Sequence, residues 1–440
     1  MSIENKSALT PARSRPMGAG ESVAGFLQCR ATEFAGRSFA KPNLAIAVPA
    51  PVGRERVRVR AWLLAILLIT ALAPLPILSA KDSVPTTPAK PSKKPLVQIA
   101  ILLDTSGSMQ GLIEQTKSQL WKICNEFIKA RQNGVAPEVQ VALYEYGKSS
   151  LSPASGWIRQ IQPLTTDLDE ISEELFALKT NGGDEYCGWV IKRAVDDLDW
   201  SPASDVYKVI FVAGNEPFTQ GPVNYAESCK AAITKGIIVN TIHCGGEAEG
   251  VNTKWKDGAD LADGKYLVID HNRAVVSIEA PQDKEIAKLG VELNRTYLAF
   301  GDAGLLGARR QASQDANAAM LAPASGAVVQ RSVAKASANY QNARWDLVDA
   351  AKDKDFVITK VKTEELPAEM QKMTVEERKA YIEKSARERD RLQTKIHQLN
   401  SEREKYVAQR MKEVAGTNTL DAVVIAAIRE QGQKRNLQFE

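Results

Sequence analysis

Histidine is scarce in this chain, with three in 440 residues, and no His-x-x-x-His or Cys-x-x-Cys spacing occurs. Zinc sites are built from such spacings, so none is expected. His243-Cys244 is read instead as a strand end whose imidazole is packed or hydrogen-bonded. There is no Gly-x-x-x-x-Gly-Lys-Ser/Thr loop, which removes nucleotide hydrolysis by that route, and no Gly-x-Ser-x-Gly elbow. Ser106 and Ser108 have no evident histidine partner, against nucleophilic serine chemistry. The net charge of +4 is small and aromatic residues make up 6%, so neither a basic footprint nor a base-stacking surface for nucleic acid is present. No catalytic residues are assigned, and an enzyme is not expected.

What is present suffices for packed domains. The chain is 44% hydrophobic and 25% charged, and its length suits two or three units. Residues 1–53 mix Gly, Pro, Arg and Ser without periodicity and read as a disordered extension; a start near Val52 or Val57 is the alternative. Residues 54–80 read as a signal peptide or signal anchor. Arg54, Arg56, Arg58 and Arg60 precede an apolar run, 61–73, and a small-residue end at Ser79-Ala80. Ala71-Leu72-Ala73 has cleavage spacing but precedes Pro74, so a retained membrane anchor over 61–80 stays open. Either way the rest of the chain is expected outside the cytoplasm: periplasmic, secreted, or anchored facing outward.

Residues 81–95 carry four prolines and read as an extended tether. From Leu96 to Phe300 apolar strands alternate with helical periodicity. Residues 96–103 and 206–212 are runs suited to strands buried on both faces, and Ile113, Leu120, Ile123 and Phe127 have helical spacing. This order predicts an α/β fold, a doubly wound, mainly parallel sheet flanked by helices, with ligands at the carboxyl ends of its strands. Residues 301–340, rich in Ala, Ser and Gln, read as a linker, and 341–440 as a helical region. Thr374 and Glu377 have capping-box spacing ahead of a long helix. Its stripe of Leu392, Ile396, Leu399 and Tyr406 is interrupted by Arg389, Arg403 and Arg410. The stripe allows either a coiled coil with self-association through 374–413 or a solvated helix with modest packing. Thr419 to Ile428 reads as a short helix folding back.

Asp104-Thr105-Ser106-Gly107-Ser108 stands where the first strand meets a helix. This Asp-x-Ser-x-Ser pattern resembles the metal-ion-dependent adhesion site of von Willebrand factor type A domains, in a bacterial-like exported form. The resemblance covers about residues 96–300. It implies a hard divalent cation, Mg²⁺ or alternatively Mn²⁺ or Ca²⁺, held by oxygen ligands. One position is left for a partner's acidic group. Two loops depart from the family pattern. Asp184, after Thr180-Asn181-Gly182-Gly183, stands where the family usually has threonine, and Gly214 where it usually has aspartate. The expected metal ligands are therefore Asp104, Ser106, Ser108 and Asp184, with Asn215, Glu216, Glu185 and Tyr186 as further metal or ligand contacts.

Tyr186, Trp189, Phe218 and Trp255 are expected around the same face, with no more than half of them exposed. Of five cysteines, Cys29 precedes the signal, and the other four allow three pairings. Cys187 with Cys244 is the first candidate disulfide, while Cys124 and Cys229 sit on apolar helical faces as small buried hydrophobes. The resemblance implies an exported binding or adhesion module recognising a protein or surface polymer. Two alternatives remain. One is a structural protein with a vestigial site that assembles through its C-terminal helices. The other is a hydrolase whose metal is held by Asp104, Asp184 and Glu216.

Overall fold

The computed structural model describes residues 94–127, 129–270, 278–321, 326–411 and 420–439. The chain divides into two units, 1–84 and 85–440, and the described residues all belong to the second. The expected extension, the signal segment and most of the tether lie outside them. Among the described residues no helix is long and apolar enough to cross a membrane.

β1 (Leu96–Asp104) is the centre of the sheet because both of its faces are apolar. Ile99 and Leu103 pack on one side, Ala100 and Leu102 on the other, as strand alternation requires. After it come α1 (Gln110–Glu126), the short β2 (Ala130–Arg131), β3 (Glu138–Tyr146) and β4 (Ile158–Thr165). Next are α2 (Leu168–Ala177), capped by the Asp167 side chain, then α3 (Cys187–Asp197) and β5 (Tyr207–Gly214). α4 (Tyr225–Thr234), β6 (Ile237–His243), α5 (Glu247–Asn252), α6 (Trp255–Asp260) and β7 (Tyr266–Val268) complete the alternation. The sheet order is β4-β3-β1-β5-β6-β7, with β4 antiparallel to β3 and every other pair parallel. The mainly parallel, helix-covered sheet expected from the sequence is thus present.

The remainder departs from the expected division. Residues 301–340 are not a linker: they hold α8 (Gly301–Met320) and α9 (Ala327–Lys335), which follow α7 (Asp283–Asn294). Their few large apolar residues hid this, because much of the packing is polar. Arg331 is buried, pairs with Asp169 and with Asp315 at 2.9 Å, and lies over the Trp121 ring.

α10 (Leu347–Ala350) precedes α11 (Val375–Met411), whose capping box forms as expected, Thr374 and Glu377 exchanging hydrogen bonds. The centre of the α11 stripe is taken up inside the chain, while Tyr406 stays exposed. Leu392 and Ile396 are buried in a cluster with Ile286, Leu293 and Val333 of the same chain. Two of the three arginines that interrupt the stripe are ion-paired there: Arg389 to Asp346 at 2.7 Å and Asp349 at 3.0 Å, and Arg403 to Asp283 at 2.6 Å.

Finally, α12 (Leu420–Gln433) and β8 (Gln438–Phe439) return to the sheet. Leu420, Val424, Ala427 and Ile428 pack into the same core as α1, and β8 pairs antiparallel with β2. Gln431 exchanges hydrogen bonds with Asn240 and accepts one from Tyr207 at 2.9 Å. The α/β core therefore ends near residue 439, and α7 to α11 are inserted before its last helix.

Candidate functional site

The parallel strands β1, β5 and β6 end at one edge, and the loops there gather the residues singled out by the sequence. Asp104 closes β1 and is fully buried. Its Oδ1 accepts the Ser106 backbone N–H at 2.7 Å, while Oδ2 is buried with no hydrogen-bond partner. Ser106 and Ser108 lie hydroxyl to hydroxyl at 3.2 Å, and Ser108 donates to Asn215 Oδ1 at 3.3 Å. Asn215 and Glu216 follow β5, so the first and third loops do meet. Gly214 leaves no space for an aspartate, since a Cβ there would lie 2.7 Å from the Tyr146 hydroxyl and 3.1 Å from Asp104 Oδ2.

The second loop is placed by its glycines. A Cβ on Gly183 would lie 2.5 Å from the Gly147 carbonyl oxygen, so only a bare α-carbon lets this loop cross the end of β3. The crossing is held by the Asn181 N–H donating to the Thr105 carbonyl at 3.1 Å and by Gln220 accepting the Glu185 N–H at 2.7 Å. It turns Asp184 outward and Glu185 inward. Asp184 is exposed, and its Oδ2 accepts from the Trp157 indole and the Tyr186 hydroxyl, each at 3.2 Å. Glu185 is buried beside Asp104. Asp184 was the expected substitute ligand; its neighbour is the residue that approaches Asp104. The alternation at the end of a tight loop decides between them, and the sequence carried no signal for it beyond the adjacency.

Electrostatics mark the same pocket. Burial raises the Asp104 carboxyl to about 7, with the Glu216 charge adding to it. Burial also raises Glu185 to about 8, reinforced by the charges of Asp104 and Glu216 and offset in part by hydrogen bonding to Ser106. Among the described residues no three acidic, histidine or cysteine side chains converge as a metal site on their own. Hydroxyls and an amide would have to complete the set. The donor chemistry fits a hard cation: every candidate ligand offers oxygen, and the orphaned Asp104 Oδ2 lacks the partner a buried carboxylate needs.

The cysteines do not contribute. Cys187 and Cys244 are not joined by a disulfide; both are free and buried, as are Cys124 and Cys229. The reason is topological. Cys187 packs on the α3 face of the sheet and Cys244 on the α1 face. Burial pushes the thiols up, to about 12 at Cys124 and Cys229, so thiolate ligation is disfavoured. His243 is buried at the end of β6, its ring 5.6 Å from that of Trp255. Of the four aromatics expected near the site, Phe218 and Trp255 are core, whereas Tyr186 and Trp189 are half-exposed and stacked with ring centroids 6.2 Å apart.

Residues 98–256 match the family model of the von Willebrand factor type A domain. Among solved structures the chain is similar to proximal thread matrix protein 1 from the mussel byssus, at 13% identity and a TM-score of 0.30 over 40% of this chain and 41% of that one. It therefore spans less than half of that protein. It is also similar to BatB from Bacteroides thetaiotaomicron (18%, TM-score 0.31, 40% and 90% of the two chains). The SpRpn10 VWA domain is similar at 21%, TM-score 0.31, over 39% and 87%. No curated protein sequence matches the chain.

Proposed function

We propose that this protein, whose residues 98–256 are a von Willebrand factor type A domain, is an extracytoplasmic binding module that engages another protein or a surface polymer at the Asp104 edge of its sheet with the help of a divalent cation. Domains of this family typically mediate protein–protein interaction or adhesion. The observation that carries the reading is Asp104 Oδ2, buried without a partner among hydroxyl, amide and carboxylate oxygens. Asp104, Ser106, Ser108, Asn215, Glu185 and Glu216 would supply the ligands for Mg²⁺, Mn²⁺ or Ca²⁺. When bound, the cation would offset two of these three carboxylate charges and supply a Lewis-acidic position to a ligand atom. The chain's own part is to hold that oxygen set rigidly. Ser106 N–H fixes Asp104, and Gln220 fixes the Glu185 backbone.

The extracytoplasmic placement rests on residues 54–80, whose basic flank and apolar run have the form of an export signal. Against assembly through a C-terminal coiled coil stands the burial of Leu392 and Ile396, the centre of the α11 stripe, within the chain.

The test is thermal unfolding, first in EDTA and then with each cation. A ligand specific to the folded state raises stability by roughly 2.7 kcal/mol at a hundredfold excess over its dissociation constant. A shift that Asp104→Asn abolishes is expected. No shift with any of these cations would sink the cation-assisted reading.

A further inference from the structure

We infer that this protein pairs with a second copy of itself through the exposed face of α8, the two helices crossing antiparallel at Leu305 and Leu306.

The placing of side chains along the start of α8 is the first argument. Asp302, Leu305, Leu306 and Arg309 follow one another at helical spacing, which puts all four on one face. That face is turned to solvent: Leu305 is 71% exposed and Leu306 57%. A helix laid on a domain normally turns its large apolar residues inward. Here the inward positions belong to Gly304 and Gly307, and a Cβ on Gly307 would come within 2.3 Å of the Trp345 ring. The inner side is also fastened by Arg310, which pairs with Glu170 at 3.0 Å and Glu173 at 2.7 Å on α2. The leucines are thus held outward by a helix packed too closely to roll. Apolar residues held out together between polar ones mark an interaction surface.

Charge names the occupant. The order acid, leucine, leucine, base is symmetric about the point between Leu305 and Leu306 except for the sign at its ends. In a two-fold pair residue i meets residue j, and j meets i. An antiparallel crossing at that point sets leucine against leucine and brings Asp302 of each copy to Arg309 of the other. Both ends are then complementary at once. A parallel pair would set like charges together. Both charged groups are free for this: among the described residues neither Asp302 nor Arg309 has a hydrogen-bonded or ion-paired side-chain partner. Lys362, which feels the Asp302 charge, is itself paired with Glu365 at 2.8 Å. Beyond Arg309 the exposed face runs uncharged through Ala312 and Ala316 to Met320, so no charge there selects another register. A contact of a few turns buries less than the roughly 1,200 Å² at which stable interfaces begin, so the pair is a reversible one of micromolar strength.

Sedimentation equilibrium of the full chain across the micromolar range tests this. Asp302→Arg and Arg309→Asp should each weaken self-association at least about tenfold, because each opposes like charges at both ends of the crossing. A chain carrying both changes should recover the parent's association, and an equimolar mixture of the two single variants should associate as well as the parent. Leu305→Asn combined with Leu306→Asn should abolish the pair. All four positions are exposed, and unfolding curves confirm that the variants fold. A chain that stays monomeric throughout overturns the inference, whatever else then covers the face. So does a double charge variant that associates no better than the single ones. An oligomer indifferent to every one of these changes is held together elsewhere, by the apolar run at 61–73 for example, and overturns it as well.

Discussion

Glu185 meets Asp104 across the bare α-carbon of Gly147: a Cβ on that glycine would lie 2.7 Å from Glu185 Cγ and 2.8 Å from Asp104 Oδ1. Gly147 has φ of 80°, so the end of β3 curls away and leaves the two acids facing each other. Under the proposed cation-assisted reading, Glu185 is therefore the acid placed to share the ion with Asp104.

Glu185→Gln should therefore weaken Mg²⁺ or Mn²⁺ binding about tenfold or more, whereas Asp184→Asn should change it by less than about threefold. A tenfold change corresponds to about 1.4 kcal/mol. Calorimetric titration of both variants checks the order, and equal effects would return the ligand role to Asp184.

Acid–base behaviour should be unusual for carboxylates. Asp104 at about 7 and Glu185 at about 8 both lie above their unfolded values near 4. The folded chain then holds protons that the unfolded chain has released, so the contribution of these two groups to metal-free stability should be fully present below about pH 4 and be lost as pH rises to about 8. Buried Asp104 dominates, at roughly 1.4 kcal/mol per pKa unit, with the more solvent-screened Glu185 adding less. Added Mg²⁺ should stabilise more at pH 8 than at pH 5. Urea unfolding across this range checks both slopes, and stability in EDTA that climbs from pH 5 to 8 would contradict them.

α12 should prove indispensable to the α/β core. Ile428 is fully buried beneath it, and Ile428→Ala should cost about 2–5 kcal/mol. A chain ending at residue 411 should lose cooperative unfolding altogether, read by circular dichroism against temperature. A truncated chain that melts like the full one would show that the sheet does not need its returning helix.

The arginines of α11 are load carriers of the inserted helices. Removing one partner from a buried pair leaves an uncompensated charge, so Arg389→Met should cost about 3–5 kcal/mol. Exposed Arg387, by contrast, pairs with Glu383 at 3.6 Å, and Arg387→Met should change stability by less than about 1 kcal/mol. Chemical denaturation of the two variants distinguishes a packed insertion from a solvated helix.

What the sequence determined by itself was the local part. The β1 run had to be a strand buried on both faces, the alternation that followed had to give a mainly parallel sheet, and Asp104 had to stand at its carboxyl end. Thr374 and Glu377 announced the start of α11 because a capping box is complete within four residues.

Only the tertiary structure decided which of two adjacent acids faces Asp104, because that depends on how Gly183 lets its loop cross Gly147. It also decided that Cys187 and Cys244 stay apart on opposite faces of the sheet, and that Arg331 and Arg389 are interior residues, the one in an expected linker and the other in an apolar stripe it seemed to break. Their partners lie far along the chain, Asp169 for Arg331 and Asp346 for Arg389. Periodicity reports the apolar face of one element at a time, whereas the burial of a charge depends on a counter-charge brought to it by the fold.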